Sequence, residues 1–375
     1  MNRLILLGNG FDLAHGLQTR YNDFILWYLK KSFSKVEIGS GHKDSLMEIE
    51  SRYEFITFFH NSRTTKNELI DYYYNTGFDQ FFGNESLYFQ PSVRHTNPFI
   101  VTLSTLMQAL ISNCNNANWV EIENEYYKVL KEILNKGYQQ KEYLKSLNAS
   151  MRTLVAELRE YFRTIKVKNT TDKVLEIFAS PILFRELTYI EGSTPVSQVA
   201  KLTHILNFNY TDTAALYASS SRFSSEEIEL NYIHGCASDP DKPLIFGFGD
   251  ELDSDYATLE LSKINDYFEF IKSFGYLKTS DYYSLLRFIE SDDYQVLIMG
   301  HSCGLSDRTM LNMLFKHKHC RSIKIYYHVT ADGENNFTEL TQEISRHFKD
   351  KEMLRERVVN FQFCKPMPQM TYDSV

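Results

Sequence analysis

Apolar and polar residues change their spacing three times along this chain, and each change predicts a different kind of element. Leu4-Ile5-Leu6-Leu7 is a short unbroken apolar run that stops at Gly8. A run of that length ended by glycine predicts a strand buried on both faces, as in a parallel sheet. Tyr21 to Phe33 then reads as a helix. From about residue 40 to 200 long helical patterns dominate and no strand is predicted. The most regular of them sets Leu144, Leu147, Met151, Leu154, Leu158, Tyr161 and Ile165 three and four residues apart, a stripe that must pack on something apolar. The expected partner is a helix of the same chain carrying Trp119, Ile122, Tyr126, Leu130 and Ile133, ahead of a dimer seam.

Beyond residue 200, short apolar runs alternate with helical patterns. Strands are predicted at His204–Asn209, Ile228–Ile233, Leu244–Phe248, Gln295–Met299, Ile323–His328 and Val358–Phe363. Such alternation builds a mostly parallel, layered sheet, and the strand at Leu4–Leu7 has no other partner near it in sequence. The expected fold is α/β: a Rossmann-like, mostly parallel sheet in a discontinuous domain of residues 1–35 and 200–366. A large helical insertion domain, 36–199, interrupts it, and 367–375 reads as a loose tail.

Composition narrows the function classes. With 375 residues, 43% of them hydrophobic and 14% aromatic, the chain has the apolar surface for a large core, which excludes disorder. The net charge of -8 gives no general pull toward phosphate backbones, so no strong nucleic-acid signal is present. The five cysteines are scattered and none forms a CxxC pair, as suits a reducing compartment. The first apolar run is too short for a signal peptide, and no stretch approaches the ~18 apolar residues of a membrane helix. A cytoplasmic protein without a membrane partner is expected. Glu121, Glu123 and Glu125 read as a solvated first turn of a helix, while His317, His319 and Cys320 do not complete a tetrahedral set; no metal is expected.

Candidate chemistry gathers at the ends of predicted strands, where an open parallel sheet brings distant segments to one crevice. The first cluster is Gly8-Asn9-Gly10-Phe11-Asp12, a strand-to-helix turn with the physics of an anion site. It lacks the third glycine of a dinucleotide fingerprint, because Leu13 stands there. The second is the segment around Asn209 and Asp212, the third is His234-Gly235, and the fourth is Gly300-His301-Ser302-Cys303-Gly304 with Asp307 beyond. Taken singly each has a plainer reading: a tight turn with Asp12 as helix cap, an Asx turn and cap at Asn209 and Asp212, a satisfied half-buried histidine at 234.

Together these clusters resemble the AbiH family of bacteriophage abortive infection proteins. The resemblance rests on GNGFDLAHGLQTRYNDF at the start, WVEIENEYY from Trp119, NFNYTDT, the IHG ending at Gly235, and GHSCGLSD. The chain is more remotely similar to the sirtuin fold, whose glycine turn, glycine-hydrophobe step and Asp-Phe pair match Gly8, Gly10, Asp12, Gly16-Leu17 and Asp23-Phe24, with four extra residues before the pair. The resemblance implies NAD as substrate. Gly8, Asn9, Gly10, Phe11 and Asp12 would lie against its diphosphate and ribose, the Asp23-Phe24 loop over the nicotinamide side, and Asp212, Gly300, His301, Ser302 and Asp307 elsewhere around it. His234 would be the base and Asn209 would orient the ribose or attacking water. Two departures matter: the paired CxxC zinc module of protein-deacylating sirtuins is missing, and Asp12 replaces a small hydroxyl residue.

The expected function is an antiphage effector that cleaves the nicotinamide–ribose bond when triggered. Two alternatives stand beside it: a non-catalytic nucleotide sensor, and a serine hydrolase using Ser302, since GHSCG satisfies the nucleophile-elbow pattern G-x-S-x-G. Asp332 and His347 are that alternative's candidate partners. The partners expected are a nucleotide, a phage-derived trigger or defence-system component, and further copies of the chain in a homo-oligomer.

Overall fold

The computed structural model describes residues 1–38, 40–52, 58–60, 63–76, 87–90, 93–95, 98–112, 119–134, 136, 140–167, 170–188, 197–224 and 227–370. The chain divides into two compact units. The first comprises Met1–Thr19, Phe162–Ser262 and Phe270–Val375; the second comprises Arg20–Tyr161 and Lys263–Glu269.

The first unit is built on six strands, β1 (Asn2–Leu7), β2 (Thr203–Asn207), β3 (Ile228–Asn231), β4 (Tyr294–Met299), β5 (Cys320–Tyr327) and β6 (Lys365–Pro366). Their spatial order is β3-β2-β1-β4-β5-β6, and every pairing is parallel. β1 is central: Leu7 pairs with Asn207 on one side and Met299 on the other. Both faces are buried. Leu4, Leu6, Leu206, Val296 and Ile298 pack under helices 281–291, 308–316 and 337–346, with Leu285, Leu311 and Ile344 reaching down to them. Ile5, Leu7, Ile205, Leu297 and Met299 pack on the other side against Phe11, Val174, Phe178 and Tyr217. Burial on two faces is why these strands read as unbroken apolar runs.

Two predicted strands are not strands. Leu244–Phe248 joins no sheet apart from one isolated bridge, Phe248 to Ile271. Gly247 has φ +150 and faces the Phe270 carbonyl so closely that a Cβ would lie 2.0 Å from it. The segment instead bonds His234 through the Ile245 N–H (2.9 Å) and so walls the site. Val358–Phe363 makes one bridge, Val358 to Ile323, then closes into a 3-10 turn at Phe361–Phe363. The last strand is β6, at the sheet edge where proline is tolerated. Of the expected tail, Met367 is buried and its N–H reaches the Tyr327 carbonyl (2.8 Å), while the Met370 N–H reaches the Ala14 carbonyl (2.8 Å); residues 371–375 lie outside the described residues.

The second unit contains the helices Tyr21–Ser34, Lys66–Thr76, Thr105–Ser112, Trp119–Leu134 and most of Gln140–Thr164. It also contains strands where none is predicted: an antiparallel sheet of Gly41–Lys43, Met47–Ser51 and Phe99–Leu103, and a hairpin of Leu87–Gln90 with Val93–His95. In MEIES and FIVTL, inward and outward positions alternate over only five residues each, too short a signal to stand out among helical patterns. The long stripe is buried within the single chain from Leu144 to Tyr161, as are Ile122, Tyr126, Leu130 and Ile133 of the expected partner helix. Among the described residues no helix is long and apolar enough to cross a membrane.

Candidate functional site

Strand order reverses beside β1: the chain moves outward from β1 to β2 and β3, then returns to the other side of β1 at β4. The carboxyl ends of β1 and β4 therefore flank the crevice where ligands bind in open α/β sheets. Gly8 follows one and Gly300 the other. Their turns are packed backbone to backbone. A Cβ on Gly8 would lie 2.5 Å from the His301 Cα, one on Gly10 2.8 Å from the Gly300 Cα, and one on Gly300 2.1 Å from the Phe11 nitrogen. Gly300 also has φ +74, a conformation that side chains resist. The Gly10 N–H donates to the Gly300 carbonyl (2.8 Å) and the Phe11 N–H to that of Gly8 (2.8 Å). What lies against the opening glycines is the second glycine loop.

Asn209 enters from the β2 end. Its Nδ2 donates to the Gly8 carbonyl (3.0 Å), and its own N–H donates to Asn207 Oδ1 (3.2 Å), which forms the turn. Two residues on, the Thr211 hydroxyl donates to Asp12 Oδ2 (2.7 Å). Gly8, not Asp12, caps the short helix Asn9–Ala14, and Asp12 is buried inside it. Burial raises the Asp12 pKa to about 6, and hydrogen bonding from Thr211, Thr213 and Asn209 offsets only part of that rise. Its Oδ1 has no hydrogen-bond partner of ordinary geometry among the described residues. Asp212 is exposed; its carboxylate accepts from the Ser238 hydroxyl (2.6 Å) and the Cys236 thiol (3.1 Å). It lines a cleft of about 530 Å³ with Tyr210, Thr211, Ser238, Arg163 and Lys166.

Behind Tyr210 lies a buried polar cluster that joins three of the sequence clusters. His234 Nε2 is 3.2 Å from the Tyr276 hydroxyl and 3.3 Å from Asp307 Oδ1. His301 Nε2 is 3.8 Å from Asp307 Oδ2, while His301 Nδ1 accepts the Cys303 N–H (2.9 Å), so the neutral ring carries its proton on Nε2. Lys272 Nζ donates to Asp307 Oδ1 (2.8 Å). Burial alone would push the Asp307 carboxyl up; Lys272, His234 and His301 outweigh it and hold the group well below the usual carboxylate range. Burial and then Lys272 lower the His234 pKa, and burial brings His301 down to about 4. His234 is thus neutral at pH 7, with an ionised carboxylate beside its Nε2. Three rings surround it: Phe208 edge-on at 5.0 Å, Tyr210 at 6.4 Å and Tyr276 at 6.1 Å, the last two near-parallel.

The clusters around Gly8–Asp12, Asn209, Asp212, His234, His301 and Asp307 are therefore brought to one edge of one sheet. Asp23 and Phe24 are not in a loop. They sit in the first turn of the helix Tyr21–Ser34 in the second unit, where Asp23 Oδ2 accepts the Arg20 N–H (3.0 Å) and Phe24 is buried against Trp27, Trp119 and Tyr161. Ser302 is exposed, and among the described residues no hydrogen bond joins it to a histidine. His347 instead pairs with the Cys303 carbonyl (2.7 Å), and Asp332 is exposed in a turn, so no Ser302 triad is assembled. Sequence reasoning missed Lys272, Tyr276, Arg163 and Lys166. Lys272 alone left a trace, as a charge set between apolar Ile271 and Phe274. Among the described residues no group of three or more His, Cys, Asp or Glu side chains is placed to hold a metal.

Strand order, two-faced burial and polar loops at the carboxyl edge define a Rossmann-like α/β protein with a polar site at its topological switch point. A family model described as bacteriophage abortive infection AbiH matches residues 4–329. The chain belongs to the AbiH family, which places it in abortive-infection defence against bacteriophage. No curated protein and no solved structure matches the chain.

Proposed function

We propose that this protein is a defence effector that binds NAD at the carboxyl edge of the first unit's sheet and hydrolyses its nicotinamide–ribose bond when infection triggers it. The observation that carries this reading is the meeting of Asn209, His234 and Asp307 beside the Gly8 and Gly300 turns. Water attacks the ribose C1′, a C–O bond forms, and the C–N bond breaks, with nicotinamide leaving on its electron pair. His234, neutral at pH 7 with its Nε2–H directed at Asp307, takes the water proton on Nδ1; Asp307, 3.3 Å from Nε2, stabilises the imidazolium, and Lys272 keeps that carboxylate ionised and in place. The Asn209 amide, fixed by the Gly8 carbonyl, orients the ribose or the water.

A positioned base contributes roughly 10² to 10⁴ in rate. His234→Ala is expected to lower nicotinamide release in infected cells by that order while the purified variant keeps its cooperative melting transition. Mass spectrometry of NAD and nicotinamide in cells carrying either form checks this; equal NAD loss with both would remove His234 from the base role. The enclosure of His234 by Phe208, Tyr210 and Tyr276 favours a second reading, a nucleotide sensor without catalysis. Intact nucleotide recovered with the protein, with no nicotinamide released during infection, would select it.

A further inference from the structure

The glycine turn that suggests a dinucleotide site is poorly supplied with anion-binding groups. The Gly10 N–H is taken by the Gly300 carbonyl and the Phe11 N–H by that of Gly8. The adjoining helix is six residues long, and the carboxyl group of Asp12 is buried within it. A diphosphate laid there would meet spent donors and an acidic group. The cleft beside Asp212 is the opposite. In a chain of net charge -8, its charged lining is two cations, Arg163 and Lys166, and one carboxylate, Asp212. Arg163 Nε donates to the Ala237 carbonyl (2.8 Å), which pins the guanidinium at the cleft wall; among the described residues its Nη groups make no hydrogen bond and Lys166 makes no ion pair. The volume of about 530 Å³ is of the size that takes small-molecule ligands.

We infer that Arg163 and Lys166 hold the diphosphate of a nucleoside diphosphate sugar in this cleft, with Asp212 accepting from its ribose hydroxyls. The inference rests on the proposed nucleotide reading of this edge and adds where the ligand's charge is recognised. Guanidinium forks match phosphate oxygens in geometry as well as charge. Asp212 accepts from the Ser238 hydroxyl, the Cys236 thiol and, at 3.4 Å, the Tyr232 hydroxyl, which leaves its two oxygens capacity for a ribose hydroxyl. Thr211 ties the cleft to Asp12, and Tyr210 belongs to both the cleft wall and the ring enclosure of His234, so a sugar bound here lies one side chain from the base.

The test is calorimetric titration of the full chain with ADP-ribose and with adenosine. The double variant Arg163→Gln, Lys166→Gln is expected to weaken ADP-ribose by about 10- to 100-fold, as loss of charge-assisted hydrogen bonds implies. It should also flatten the fall of affinity with added salt and leave adenosine within about twofold of its wild-type affinity. The charge-keeping pair Arg163→Lys, Lys166→Arg should retain most of the binding, which separates lost charge from lost folding. ADP-ribose affinity unchanged in the glutamine pair, or no binding of ADP-ribose by the wild type, overturns the inference. Nicotinamide release with ADP-ribose affinity indifferent to both charges overturns this site alone. Charge-dependent ADP-ribose binding with no nicotinamide release in infected cells overturns the cleavage reading and leaves the site standing.

Discussion

Asp12 is the residue that most plainly costs this protein stability. A carboxyl with an ordinary pKa of 3.8 is raised to about 6 by burial, so between those values the folded chain binds more protons than the unfolded one. By linkage, this group's contribution then falls as pH rises from about 4 to about 6 and stays unfavourable above. The shift corresponds to about 3 kcal/mol at neutral pH. Asparagine keeps an oxygen for the Thr211 hydroxyl and carries no charge. Asp12→Asn is therefore expected to raise stability at pH 7 by up to about 3 kcal/mol, and to gain little at pH 4. Denaturant melts of both forms at pH 4 and pH 7 measure it; a gain equal at both pH values would show that charge is not the cause. Asp307, shifted the other way by Lys272, His234 and His301, cancels in that comparison. A buried acid retained against a stability cost is what a working site looks like.

Among elements, the paired turns show how a glycine pattern can be legible and its cause hidden. Gly8-x-Gly10 was readable as a turn and Gly300 as the end of a strand, but sequence carries no record that the two press on each other across nearly the whole chain. Two glycines separate conformation from packing. Gly300 and Gly333 have similar positive φ, +74 and +83, yet a Cβ on Gly300 meets the Phe11 nitrogen at 2.1 Å and one on Gly333 meets nothing within 4 Å. Gly333→Ala is expected to cost about 1 to 2 kcal/mol, the left-handed penalty alone. Gly300→Ala should cost several-fold more, or prevent folding of the first unit. Parallel thermal melts read the difference, and equal losses would mean that the loops move apart at little cost. The same contrast governs the rest of the fold. Long or two-faced elements, Leu4–Leu7, Gln295–Met299 and the Leu144 stripe, announced themselves by periodicity, whereas MEIES and FIVTL were too short. Leu244–Phe248 had the composition of a strand but bonds His234 and Phe270 instead. At the site, His234 and Asp307 were legible because they follow strands. Lys272 was not, because it opens a helix of only five residues, Lys272–Tyr276, with no motif around it.

At the scale of the molecule, the first unit depends on a central strand whose two partners lie far along the chain. β1 joins β2 and β4, which lie roughly 200 and 290 residues further along the chain, so its ladder forms only after long loops have closed. It carries the turn whose Gly8 carbonyl receives Asn209, and Arg3, buried, donates to the carbonyls of Phe178 (2.6 Å) and Ser180 (2.5 Å) on one face of the sheet. Removing residues 1–8 would leave β2 and β4 with an unpaired edge each and no β1 between them, an arrangement whose buried N–H and C=O groups nothing else satisfies. The truncated chain is expected to lose the cooperative transition of the first unit and the amide hydrogen-exchange protection of 203–207 and 294–299. Protection of 47–51 and 99–103, in the second unit's own antiparallel sheet, should persist. Native-level protection at 294–299 in the truncated chain would show that β4 and β5 fold without the central strand. The proposed nucleotide site depends on the same strand, so in the same sample ADP-ribose binding should vanish together with protection of β2 and β4, since Thr211 and Asp212 follow β2 and Thr211 is held by Asp12 of the turn that β1 delivers.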